Sequence, residues 1–453
     1  MTAGVLRVTL AEWEERTPAD CPALAGRDLG DDPAARALAE QLTASGRLEI
    51  QEMRHGLHLR ATSFVGRIRL GDLEITILPK IAGAPFLDLV RYGFRLRDLH
   101  LHRHAAYATA PLAWPDLLVA QLVAEAEEIL ARGPHRAYLR RAEDLASPRG
   151  RIDIDGIARR GLPTAAVLPC IHHVRHEDTL PNRVLLAGLR LGARLTADRE
   201  LALLARRLAA QLAEIVQPIP LDASAFAALT RARSRLTGAY EPALELVRLL
   251  AESHGLALEP DREDATPLRL QGLLFDMNRL FQLVLTRLLA ENLPDHEVEG
   301  ESRLGSVFRF VPGKNPRGRP APAPRPDIVV LRGRRPAAIL DAKYRDLAVH
   351  SLPRDMLYQL AIYALGTGLA RATLLYATVS RDAREEEIEV LDPTSPAARR
   401  ALVVVRPCSL EDLAAAARAP RGASSALAHR LVSGPQLEGK TAWPITSSSS
   451  AEA

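Results

Sequence analysis

The sequence predicts an α+β multidomain protein, with a β-rich N-terminal module, a helical middle and a small α/β core towards the C-terminus. Three patterns predict it. Between residues 46 and 81 apolar side chains recur every second residue (Leu48 and Ile50, Leu57 and Leu59, Ile68 and Leu70, then Leu73, Ile75 and Ile77), the period of strands with one buried face. Residues 183–217 and 224–258 carry apolar stripes at helical spacing instead. Residues 327–379 read as strand, strand, helix, strand. With 453 residues, 47% of them apolar, the chain is too long for one simple core and well supplied for two or three. The expected regions are β-rich at 1–110, helical at 111–265 and α/β at 266–410, with a mostly disordered tail at 411–453.

Each element has its own local signal. Residues 1–45 are slightly acidic and Ala-rich, and Asp31-Asp32-Pro33 marks a helix start. Gly56, Gly66 and Gly71 punctuate the strands beyond it. Leu117–Arg132 is a helix, with Leu118, Leu122, Ala126 and Ile129 on one face and Gly133-Pro134 ending it. The stripes of 183–217 and 224–258 read as helix packing. Ile328–Leu331 and Ala337–Leu340 are short apolar strands joined by the basic turn Arg332-Gly-Arg-Arg-Pro. Arg354–Ala370 reads as an amphipathic helix through Met356, Leu357, Leu360, Ala361 and Leu365. Ala372–Val379 is a continuous apolar run with Thr and Tyr, fitting a buried strand.

Composition narrows the setting. No run of 18 apolar residues offers a membrane span. The N-terminus lacks the layout of a signal peptide. Cys21, Cys170 and Cys408 are too few and too scattered for a disulfide framework or a zinc cluster, which fits a reducing cytoplasm. The net charge of +4 is mild. Its distribution is more informative than its size. From Arg303 to Arg345 there are eleven Lys and Arg and two acids, Asp327 and Asp341. Such a field suits a polyanion.

Those two acids define the candidate chemistry. Asp327 opens the first strand of the hairpin, and Asp341-Ala-Lys343 stands near the end of the second. Residues two apart in a strand point the same way, so Asp341 and Lys343 share a face and the hairpin brings Asp327 beside them. Two carboxylates and a lysine about one point suit Mg²⁺ and a water directed at a phosphodiester. The plainer alternative is a basic hairpin whose aspartates pair with neighbouring arginines. On the next helix Gln359 and Tyr363 are four apart and share a face, able to hold DNA backbone and orient the lysine, or else simply a buried Tyr beside a surface Gln.

With these residues the chain resembles the PD-(D/E)xK nucleases, and within them McrC, the nuclease subunit of McrBC modification-dependent restriction systems. Further segments carry the resemblance: Phe275-Asp-Met-Asn-Arg-Leu-Phe281, the stretch Phe64 to Ile81, Arg149-Gly-Arg-Ile-Asp153, and Glu177-Asp-Thr-Leu-Pro-Asn-Arg183. The likeness spans about residues 50 to 410. It implies a restriction-endonuclease-like core at 266–410, with Asp327 and Asp341 as Mg²⁺ ligands and Lys343 steadying the attacking water and the phosphorane charge. Gln359, Tyr363, Gln282, Arg325 and Arg345 are implied as supporting or DNA-binding residues. It further implies that double-stranded, 5-methylcytosine-type modified DNA is cut, that region 1–110 docks on an McrB-like AAA+ GTPase hexamer, and that GTP belongs to that partner. The rivals are a non-catalytic activator of the ring and a repair nuclease without one. One position departs from the family: where the helix usually reads Asp-Met-Asn-x-Leu-Phe-Glu, this chain has Gln282 at the last position, an amide without the charge. The Pro- and Arg-rich insert Pro312–Pro326 reads either as a DNA-touching loop or as a plain one.

Two further patterns carry no chemistry. His172, His173 and His176 have no Cys or acid at zinc-like spacing and read as polar contacts beside a helix start. Gly434–Thr441 spells a phosphate loop, but Pro444 interrupts the next turn and no sheet supports it.

Overall fold

A computed structural model describes residues 6–30, 32–81, 83–96, 114–160, 166–232, 235–254, 271–302, 304, 307–392 and 394–434. The chain divides into two compact units, Met1–Leu280 and Phe281–Ala453.

In the first unit, the alternating segment forms the predicted strands. β1 (Leu6–Ala11) and β2 (Glu15–Arg16) precede helix α1 (Pro33–Ala44). β3 (Leu48–Met53), β4 (Gly56–Ala61), β5 (Phe64–Leu70) and β6 (Leu73–Leu78) come after it, β3 pairing antiparallel with β4 and β5 with β6 in two small sheets. Asp32 caps α1 by accepting from the Ala34 and Ala35 amides, and Pro33 fixes its first turn. Helix α2 (Ala84–Gly93) and helix α3 (Trp114–Arg132) come next.

A second β element, β7 (Ala137–Leu145), β8 (Arg151–Ile152) and β9 (Leu168–His176), is interrupted by helix α4 (Ile154–Arg160). The strand β9 places His172 and His173 on opposite faces, with His172 buried. The histidines therefore lie within the strand that leads to the helix start at Leu180.

The helical stretch 183–217 consists of two helices, α5 (Leu180–Leu195) and α6 (Arg199–Ala213). The break is held by Asp116, which accepts from the Thr196 hydroxyl at 2.6 Å and the Ala197 amide at 2.8 Å, while Asp198 caps α6. The stretch 224–258 likewise divides into α7 (Ala223–Arg231) and α8 (Glu241–Ser253), the latter begun by Pro242. Strand β10 (Gln271–Asp276), which the sequence groups with the C-terminal core, pairs with β5 in the sheet β1-β6-β5-β10. Gly272 is required there. Its φ of +135° disfavours any other residue, and a Cβ would lie 2.1 Å from the Arg67 carbonyl.

Helix α9 (Met277–Asn292) runs across the division into the second unit. There β11 (Glu297–Gly300), β12 (Ile328–Arg332), β13 (Arg335–Lys343), helix α10 (Arg354–Gly366), β14 (Arg371–Thr378), β15 (Glu386–Asp392) and β16 (Ser395–Ser409) build one sheet in the order β11-β12-β13-β14-β16-β15. β13, β14 and β16 are mutually parallel; the outer pairs are antiparallel. One face packs on α10 through Ile339, Leu374, Tyr376, Val403 and Val405 against Met356, Leu360 and Tyr363. Each fully buried leucine or valine side chain here contributes roughly 1.5–3 kcal/mol of hydrophobic stabilisation.

The region read from sequence as a tail opens with two helices, α11 (Leu410–Arg418) and α12 (Ser425–Ser433), which bury Leu413, Ala414, Ala417, Ala428 and Leu431. The phosphate-loop spelling thus comes after a helix rather than a strand, and beyond Gly434 it lies outside the described residues. No helix among the described residues is long and apolar enough to cross a membrane.

Candidate active site

The site forms where the sheet changes from antiparallel to parallel. β12 pairs with β13 so that Ile328 stands opposite Leu340, and one step further sets Asp327 across from Asp341. The Ala342 amide donates to Asp327 Oδ2 at 2.8 Å, which fixes the carboxylate between Asp341 and Lys343. β13 then runs parallel to β14, with Asp341 beside Leu374 and Lys343 beside Tyr376. Both functional residues therefore lie towards the carboxyl ends of parallel strands, where open α/β sheets place their ligands.

Burial gives the pair its character. Asp341 is 8% exposed. Burial foremost, then the charge of Asp327, pushes its carboxyl up to about 7, against the pull of Lys343. Asp327 is also raised, chiefly by burial and further by Glu301, while the Ala342 amide and Lys343 act in the opposite direction. Two carboxylates held together, Asp341 buried and Asp327 half-buried, with one lysine beside them, form a place that a divalent cation would relieve. Among the described residues no three His, Cys, Asp or Glu side chains converge tightly enough to enclose a metal alone. The arrangement suits an ion such as Mg²⁺, which binds through one or two carboxylates and keeps several waters.

The other predicted residues fall in different places. Tyr363 is buried at 2% exposure and accepts from the Gln359 amide at 2.5 Å. Burial raises its hydroxyl, and so do the charges of Asp341 and Asp327, so Tyr363 lies within their electrostatic reach. Arg345 is half-buried just past Lys343, and Arg325 is exposed just before Asp327. Gln282, on α9, donates to the Asp327 carbonyl and to Glu301 Oε1, each at 3.4 Å.

Glu301 is the residue that sequence reasoning missed. It stands just past β11, its own amide donates to the Asp327 carbonyl at 2.9 Å, and its φ of +52° is in the left-handed region. The sequence signal was its position: it is the last acid before the all-basic stretch that ends at Asp327. Asp346, by contrast, is a buried carboxylate beside the site that accepts from Thr378 at 2.8 Å and from the Ala348 amide, which makes it a structural joint.

The other segments singled out in the sequence are also joints. Asp276 caps α9 through the Asn278 amide, and Asn278 donates to Ser63 at 2.6 Å. Asn182 is wholly buried and donates to the carbonyls of His135 and Glu177, while its Oδ1 accepts from Tyr240 at 2.6 Å. Asp153 accepts from the Gly156 amide and caps α4.

Comparison with known proteins gives the family and a shared fold. No curated protein matches the chain. One solved chain, from the structure described as a refined half-complex from a tetradecameric assembly of Thermococcus gammatolerans McrB AAA+ hexamers with bound McrC, shares the fold at TM-score 0.55 and 20% identity, covering 90% of this chain and 98% of that one. A second, from the cryo-EM structure of the Thermococcus gammatolerans McrBC complex, aligns at TM-score 0.46 and 20% identity, over 63% of this chain and 88% of that one. Residues 59–377 match the family described as McrBC 5-methylcytosine restriction system component, a span that holds Asp153, Asn182, Asp276 and the whole Asp327, Asp341 and Lys343 site. This chain belongs to that McrBC family.

Proposed function

We propose that this chain is the DNA-cutting subunit of a modification-dependent restriction complex: a Mg²⁺-dependent endodeoxyribonuclease with a PD-(D/E)xK core that works with an McrB-like AAA+ GTPase ring. The observation that carries the reading is the carboxylate pair of buried Asp341 and half-buried Asp327, with Lys343 on the same strand face. Family membership supports the restriction setting. The solved relative described in an assembly of McrB AAA+ hexamers supports a ring partner, through which GTP would act.

Bound between Asp327 and Asp341, Mg²⁺ would supply Lewis-acid polarisation of a phosphodiester and a more acidic water. The protein's own residues account for the rest. The Ala342 amide holds Asp327 in place. Lys343 offers three N–H donors and a full positive charge, suited to orient a water and offset charge developing on phosphorus. Gln359 fixes the Tyr363 hydroxyl beside the carboxylates. Glu301 adds a negative charge at the rim and is itself held by Gln282, so the amide at that position serves as a donor where a third acid would repel.

The test combines the chain with its ring partner, GTP, Mg²⁺ and 5-methylcytosine DNA. Wild type should cut, and Asp341→Ala should not. Lys343→Ala should lose cutting by roughly 10²–10⁴-fold while stimulating the ring GTPase as wild type does. Wild type that cuts no better than Asp341→Ala would leave only the non-catalytic activator.

A further inference from the structure

The loop that connects Glu301 to Asp327 is built unlike the rest of the second unit. Between Ser302 and Pro326 it carries Arg303, Arg309, Lys314, Arg317, Arg319 and Arg325 and no acid. Its base is pinned. The Leu304 amide donates to the Pro324 carbonyl at 2.9 Å, and the Glu301 amide to Asp327. Leu304 packs on the core beneath α10. Val307 occupies the space a Cβ would take at Gly366, only 2.5 Å away, so α10 is notched to receive it.

Beyond that anchor the chain turns outward, and its outer arm is ordered by its own contacts. The Lys314 amide donates to Val311, and Asn315 donates to the Arg319 carbonyl at 2.8 Å while accepting from the Arg319 amide at 3.0 Å. Yet Phe308, Phe310 and Val311 remain 41%, 40% and 65% exposed. The chain has only eight phenylalanines, and two stand here, two residues apart. Exposing them is unfavourable in water.

We infer that this loop is a second DNA-binding element: Phe308 and Phe310 form an apolar wedge that enters a groove and presses between base pairs, while Lys314, Arg317 and Arg319 grip the flanking phosphates. The inference rests on the nuclease reading above, since both ends of the loop lie at the site. Cations without acids are complementary to a phosphate backbone, and apolar side chains inserted at a base step are a known means of kinking a duplex. A protein surface would be expected to mix charge signs around the aromatic residues; this loop does not.

The test uses the full chain in EDTA with a fluorescent duplex, monitored by anisotropy across a salt series, and a second duplex carrying 2-aminopurine to report unstacking. Phe308→Ala/Phe310→Ala should weaken binding about tenfold or more, abolish the 2-aminopurine rise and leave the slope of affinity against salt unchanged. Arg317→Ala/Arg319→Ala should reduce that slope by about 2, because two phosphate contacts are lost. Wild-type affinity and a wild-type 2-aminopurine signal in the phenylalanine variant overturn the wedge, and do so even if that variant binds the ring partner less well. If wild type shows no salt-dependent binding to duplex DNA, the nuclease reading fails first and takes the wedge with it.

Discussion

Replacing Asp341 with asparagine should stabilise the metal-free protein, and by an amount that depends on pH in a definite direction. The carboxyl moves from an ordinary 3.8 to about 7 on folding, because burial and the neighbouring Asp327 both oppose its ionised form. Below pH 4 it is protonated in folded and unfolded chains alike, and no penalty exists. Between pH 4 and 7 the unfolded chain ionises first, so folding takes up a proton and stability falls as pH rises. Above 7 the penalty is complete. At about 1.4 kcal/mol per pH unit the displacement corresponds to about 4 kcal/mol. The asparagine must still be desolvated, so roughly 1–3 kcal/mol of that should be recovered, or about 3–10 °C in unfolding temperature for a unit of this size. Scanning calorimetry in EDTA at pH 4.5 and pH 8 measures it. Asp341→Asn should exceed wild type clearly at pH 8 and by little at pH 4.5. Saturating Mg²⁺ at pH 8 should raise wild type and leave Asp341→Asn nearly unmoved. A variant less stable than wild type at pH 8, or a difference that ignores pH, would refute the mutually repelling pair on which the site is built.

Other perturbations separate site from scaffold. Glu301→Gln should raise the Mg²⁺ concentration needed for half-maximal cutting roughly 3–10-fold, and Gln282→Glu should lower it, because one removes and the other adds charge beside Asp327; a Mg²⁺ titration reads both. Asn182→Ala removes the acceptor of the Tyr240 hydroxyl and one donor from each of the His135 and Glu177 carbonyls at a fully buried position, and should cost about 2–4 kcal/mol in urea unfolding while cutting per folded molecule stays unchanged. Gly272→Ala should cost more than about 3 kcal/mol through the clash with the Arg67 carbonyl. Gly238→Ala, where a Cβ meets nothing within 4 Å, serves as its control.

Much of this fold was legible because periodicity survives tertiary packing where one face is buried. The segment 48–78 became four strands close to the apolar alternation, and its glycines fell at the turns and at one close strand approach. What escaped was set by partners distant in sequence. The helical stretch 183–217 divides in two where Asp116, some eighty residues earlier, offers its carboxylate to Thr196 and Ala197. β10 pairs with β5 through Gly66 and Gly272, whose bare backbones permit an approach no local pattern announces. α11 and α12 were hidden by Ala-rich, low-contrast sequence, although Ser409 accepting from the Asp412 amide is an ordinary helix start.

At the site the division is similar. Asp327, Asp341 and Lys343 were legible because a hairpin and a two-residue spacing bring them together by local geometry alone. Glu301 was not, because its place depends on β11 pairing with β12 across a connection of more than twenty residues. That difference changes how Gln282 is weighed. Judged from sequence, an amide where relatives carry an acid counts against the chemistry. In the folded chain the amide donates to Glu301, whose own amide holds the same Asp327 carbonyl that Gln282 reaches. The negative charge stands on the strand end and the donor on the helix, each suited to the other, whereas acids at both positions would repel. The pair therefore supports a working centre whose third charge comes from a different element, and it makes the Mg²⁺ response of Glu301→Gln, more than that of any change at Gln282 alone, the measurement on which that view depends.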